Sequence, residues 1–143
     1  MIDFDNHTSF ELNIDTLEEI VSELSISKDI EFILCNNEEI KQINNQFRTI
    51  NKATDVLSFP LENLPLTPLG SIIISLDYAK DISNDLGHSI YEEITLLFIH
   101  GLLHLIGMDH ESDDGQMREY ETKLIKQFSL PKSLIVRTED KAS

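Results

Sequence analysis

Three histidines, His100, His104 and His110, fall within one eleven-residue stretch of a chain that holds only five. Residues four apart on an α-helix share a face, about one turn or ~6 Å of rise apart, so His100 and His104 present their rings together. Gly107 follows where such a helix can close, because glycine takes φ > 0 without a Cβ penalty. A chain that reverses there swings His110 back toward the first two rings. Three neutral imidazoles leave a tetrahedral Zn²⁺ one open position for water, which is the pattern of a catalytic zinc site. Zinc so held lowers the pKa of its water toward ~7 and polarises a carbonyl or phosphoryl oxygen. The histidines therefore predict a hydrolase with one zinc per chain, and they leave open which bond it breaks. A buried helix whose histidines merely bond to backbone would not account for their clustering.

The elements that must position these groups follow from periodicity. Ile2 to His7 fits a short strand. Asp15 to Leu24 has helical spacing at Leu17, Ile20, Val21 and Leu24, with Asp15 or Thr16 as N-cap. Ile30 to Cys35 reads as a buried strand. Asn36 or Asn37 caps a helix through Phe47 with Ile40, Ile43 and Phe47 inward. Arg48 to Thr54 is a polar connection, and Asp55 to Pro60 a strand that ends at proline or lies at an edge. Leu61 to Leu69 is a loop. Gly70 to Leu76, with Ile72, Ile73 and Ile74 in a row, reads as a strand buried on both faces. Asp77 caps a helix closed by Gly87. Ser89 and Glu92 form a capping box for the apolar helix that carries the histidines. A last amphipathic helix places Met117, Tyr120, Leu124 and Phe128 inward, and the tail from Lys132 is expected to be loose. Two strands in succession without a helix between them favour an α+β fold, a mixed sheet of about four strands packed with helices, in a single domain over 1–143.

Composition narrows the function. The net charge is −15, from 26 acidic and 11 basic residues, so there is no broad attraction to phosphate backbones or anionic lipid. Cys35 is the only cysteine, which excludes an intrachain disulfide and a cysteine-based zinc site. The acidic start from Met1 to Asp5 does not read as a secretory leader, and Leu96 to Ile106 is too short for a bilayer. The expectation is a cytoplasmic protein. Cys35 is expected to be a core residue, and His88 a surface one. Asp55 either orients a ligand histidine or starts a strand, and Asp109 is either an outer partner of the site or a turn residue.

The histidine spacing with its glycine is that of the metzincin metalloproteases, but those place Glu directly after the first His as general base, and here that position is Gly101. The same stretch, His100-Gly-Leu-Leu-His104-Leu-Ile-Gly107-Met-Asp109-His110, closely resembles the His-Gly-x-Leu-His-Leu-x-Gly-Tyr-Asp-His signature of the YbeY family, bacterial zinc-dependent endoribonucleases of ribosomal RNA maturation. Arg48 followed by Thr54-Asp55-Val56-Leu57-Ser58-Phe59-Pro60 resembles that family's second block. Leu69-Gly70-Ser71-Ile72 matches a third in part, since the family usually has an acidic residue where Ser71 stands, and Met108 replaces the common Tyr. The resemblance implies that His100, His104 and His110 bind zinc, that Arg48 works beside them, and that the substrate is ribosomal RNA or its precursor, with the small ribosomal subunit or its proteins as partners.

Chemistry agrees with an arginine at such a site. Phosphodiester cleavage builds negative charge on phosphorus, and a guanidinium offers fixed, charged, bidentate donors to those oxygens. Lys41 and Lys52 are further candidates for steering phosphate. The nucleophile, zinc water or the substrate's own 2′-hydroxyl, stays open. Two other readings stand beside this one: a metalloprotease-like zinc hydrolase, and a ribosome-assembly factor whose metal is mainly structural.

Overall fold

The computed structural model describes residues 1–61, 66–109 and 112–131. Outside them lie His110, Glu111, the middle of the Leu61 to Leu69 loop and the tail from Lys132. The order of elements is β1 (Ile2–Asn6), α1 (Asp15–Glu23), β2 (Ile30–Cys35), α2 (Asn37–Arg48), β3 (Val56–Pro60), β4 (Gly70–Ser75), α3 (Leu76–Leu86), α4 (Ile90–Leu105) and α5 (Gln116–Gln127). The four strands form one mixed sheet in the order β1-β2-β4-β3. The first three run parallel, and β3 returns antiparallel to β4, as expected of strands joined without a helix. β3 is an edge strand, the position where Pro60, lacking an N–H, does not break a ladder.

The three isoleucines of β4 explain how the sheet is covered. Ile72 and Ile74 join a large core with α1, α4 and α5, while Ile73 points the other way into a smaller cluster with Cys35, Ile40 and Leu57 beneath α2. Successive side chains on a strand alternate faces, so a β-branched run with no polar member is the mark of a sheet sandwiched between helices. α4 crosses the large core, with eleven of its residues buried, against β3 and β4. No helix among the described residues is long and apolar enough to cross a membrane.

Helix ends depart from expectation in two places. Ile14 rather than Asp15 or Thr16 stands at the N-cap of α1, because Asn13 already accepts the Asp15 N–H in a turn of its own. Asp15 instead sits in the first turn, where a carboxylate meets the positive end of the helix dipole. Ser75 rather than Asp77 caps α3, and the freed Asp77 carboxylate accepts the Asn37 N–H at 2.8 Å, tying α2 to α3. The Asn36 cap of α2 and the Ser89–Glu92 capping box of α4 are both present.

A candidate metal site beside an arginine

The chain reverses after α4 through Gly107, whose φ is +96°. Met108 donates its N–H to the Leu103 carbonyl and Gly107 to that of His104, the paired bonds of a Schellman cap. Its consequence is chemical. The turn lays the Met108 carbonyl against His104, 2.9 Å from Nδ1. A carbonyl only accepts, so Nδ1 of His104 carries the ring proton. On α5, Glu121 is 1% exposed and places Oε2 3.1 Å from Nδ1 of His100. A carboxylate accepts as well, which puts the proton of His100 on the same ring atom.

With Nδ1 engaged on each ring, the two Nε2 atoms face each other and lie 3.2 Å apart. Two ring nitrogens at that separation need a shared proton or a metal ion between them. Two ligands of a tetrahedral zinc, each ~2.0–2.1 Å from the metal, stand about 3.3–3.4 Å apart. The pair has the spacing and the outer hydrogen bonds that metal-ligating histidines show. Among the described residues no group of three His, Cys, Asp or Glu side chains is assembled as a metal site. The third expected ligand, His110, lies outside them.

His100 and His104 open onto a cavity of about 700 Å³. Arg48 lines the same cavity, as do Asp55, Gly101 and Asp109. Two histidines and the arginine singled out by sequence thus share one site, although they come from α4 and from α2, about fifty residues apart along the chain. Arg48 is the last residue of α2 rather than part of the following connection, and the helix ends in Thr49 at φ +56°. Behind it, the buried Asn44 donates from Nδ2 to the Lys52 carbonyl and fixes the turn that Arg48 leads into. Asp55 Oδ1 accepts from the N–H of Val56 and the hydroxyl of Thr54, which is how a strand start is fastened. Asp109 holds the next turn by accepting the Ser112 and Asp113 N–H groups on its carbonyl.

Other expectations are corrected. Phe47 is 65% exposed and lines the cavity instead of facing inward, because Asn44 and Ile40 take the inner side of α2. Tyr120 is 44% exposed, and Glu121 takes the inner position beside it. His88 is not a surface residue: its Nε2 meets the fully buried Glu93 at 2.7 Å. Ser71 donates to Glu31 at 2.8 Å and does not line the cavity. Cys35 is a core residue as expected, and burial pushes its thiol up to about 12, with Glu39 and Asp77 adding to the shift. Glu121 was missed by reading only apolar periodicity. It lies four residues after Met117 and three before Leu124, on the buried stripe itself, and an acid there needs a partner.

The chain is similar to known proteins over nearly its whole length. The family model described as endoribonuclease YbeY matches residues 3–129. A curated endoribonuclease YbeY of Nautilia profundicola is 59% identical over 140 residues, covering 98% of this chain and all of that one. Its counterpart from Helicobacter pylori is 50% identical with the same coverage. A solution structure from Thermotoga maritima superposes with a TM-score of 0.65 at 30% identity, over 88% of this chain and 87% of that one.

Proposed function

This chain belongs to the YbeY endoribonuclease family, and on that premise we propose that it is a zinc-dependent endoribonuclease that cuts single-stranded RNA in ribosomal RNA maturation. The observation that carries the metal dependence is the pair of Nε2 atoms, 3.2 Å apart with both rings pinned from behind, opening onto the cavity that Arg48 lines. His100 and His104 hold the ion, with His110 as third ligand. Asp109, the residue before it, lines that cavity. Zinc, when bound, supplies a Lewis acid at the reacting phosphate. Arg48 binds the phosphate oxygens and offsets the charge that grows on them as the bond breaks. Glu121 and the Met108 carbonyl keep both imidazoles in the ligating tautomer.

A protease reading fares worse on one residue. Gly101 stands where a metzincin carries its general base, lines the cavity and offers no carboxylate to it. The test is metal analysis together with RNA cleavage by wild type, His104→Ala and Arg48→Ala. His104→Ala is expected to lose metal and cleavage together. Arg48→Ala is expected to keep its metal and lose about 10²–10³ in rate, as loss of a charge-stabilising donor does. A metal-loaded wild type that digests casein and spares RNA would overturn the proposal. Products ending in a 2′,3′-cyclic phosphate would identify the substrate's 2′-hydroxyl as nucleophile. The small ribosomal subunit is the proposed partner, and the cytoplasm the proposed location.

A further inference from the structure

We infer that Phe47, braced by Phe59, is a stacking platform for an unpaired RNA base beside the phosphate held at Arg48. The inference rests on the endoribonuclease reading above and names how that site grips its substrate.

Three phenylalanine pairs are in ring contact, and two of them, Phe4 with Phe32 and Phe32 with Phe98, belong to the large core. The third is different. Phe47 and Phe59 lie 5.6 Å apart at 54°, and both line the cavity. Phe47 is the one phenylalanine among the exposed large apolar residues described. An exposed ring forgoes the burial that α2 could have given it. Phe59, half-buried on the edge strand, holds that ring in a fixed attitude, so little freedom is left to lose when something flat lies against it.

Chemistry selects the occupant. Phe47 directly precedes Arg48, so an apolar face and a phosphate-binding group adjoin on one helix end. A single-stranded nucleotide offers that combination, a flat π-face joined to an anion. A duplex does not, since its bases are already stacked. The charge balance gives the platform its importance. A chain at −15 cannot hold RNA by a broad basic surface, and stacking on an uncharged ring asks for none.

The probe is a short unstructured oligoribonucleotide carrying 2-aminopurine, titrated with metal-loaded wild type, Phe47→Ala and Phe47→Tyr, and then remade with an abasic site at the responding position. Wild type and Phe47→Tyr are expected to quench the fluorophore. Phe47→Ala, an exposed substitution, is expected to bind roughly ten-fold more weakly or worse. On the abasic strand the wild-type advantage is expected to vanish, because the base and the ring are one interaction. If Phe47→Ala binds like wild type, or weakens the abasic strand by the same factor, the platform is not a base site; a protein contact at Phe47 would give the first result. Cleavage of the unlabelled strand by wild type is scored separately. Phe47-dependent binding without cutting sinks the endoribonuclease reading and keeps the platform, and cutting with Phe47-independent binding does the reverse.

Discussion

Glu121 shows how a single residue can decide the chemistry of another. Its carboxylate lies against Nδ1 of His100, which leaves Nε2 of that ring facing His104. Removing it frees that ring to turn Nε2 away from His104. Glu121→Ala is therefore expected to weaken zinc binding by about 10–100-fold, as loss of an outer hydrogen bond to a ligand histidine does. Competition with a chelator of known affinity measures it directly. Glu121→Gln, which can still accept on its amide oxygen, is expected to lose less. Equal zinc affinity in wild type and Glu121→Ala would show that the cap at Met108 suffices to fix the pair. His7 is the opposite kind of histidine, one that answers to protons. Hydrogen bonds donated by its ring to Asp5 first and Glu39 second, each 2.7 Å away, raise its pKa above 6.5. A pKa raised by folding means that the charged form is favoured in the native state. The gain is complete below about pH 6.5 and fades as the pH climbs through the raised value. His7→Ala is expected to lower the melting temperature in mildly acidic buffer and to leave it nearly unchanged in alkaline buffer. The effect is modest, because the ring is about a third exposed and water screens the pairs.

Two glycines, on different elements, set how closely the site's walls approach each other. A Cβ on Gly70 would stand 2.5 Å from the Phe59 carbonyl oxygen and 3.0 Å from Pro60 Cα, both backbone atoms that cannot step aside. Gly70→Ala must push β3 off β4 and is expected to cost about 3 kcal/mol, the upper end of what forced overpacking costs. On Gly101 the nearest atom is the Ile72 methyl at 3.2 Å, which can give by a few tenths of an ångström. There the helix gains about 1 kcal/mol of propensity from alanine, so Gly101→Ala is expected to change stability by less than about 1 kcal/mol. Denaturant melts of the two variants check the contrast. The same elements show what a linear sequence discloses. The strands, their mixed directions and α4 were legible, because Ile72 to Ile74, the proline at the sheet edge and the Ser89–Glu92 box each state a local rule with few exceptions. The His100–His104 pair was legible because four residues is a helical period. Arg48 came from resemblance to a known block, since nothing in its own neighbourhood says which cavity it will line. Phe47 and Tyr120 were misplaced for a common reason. Apolar periodicity assigns every large ring inward, and it cannot see that Asn44 or Glu121 has taken the inner position.

At the scale of the molecule, the charge decides how RNA is held. With 26 acidic residues against 11 basic ones, the chain as a whole repels a phosphate backbone, and local positive groups must offset that. Counterion release scales with the number of phosphates neutralised, with a slope near −0.7 per contact for a single strand. Phosphate contacts from Arg48, which lines the cavity, and from the proposed metal give a slope no steeper than about −2 in log affinity against log salt. A basic-surface nuclease making many contacts would fall off far faster. Salt acts on the fold in the other sense, since screening relieves the self-repulsion of a chain this acidic. The melting temperature is thus expected to rise with salt over the range in which RNA affinity falls by at most about 100-fold per decade. Titrating one short strand at several salt concentrations, with thermal melts run alongside, measures both. A slope of −5 or steeper would mean a basic track making many phosphate contacts, and would move the source of affinity away from the proposed metal, Arg48 and the aromatic pair.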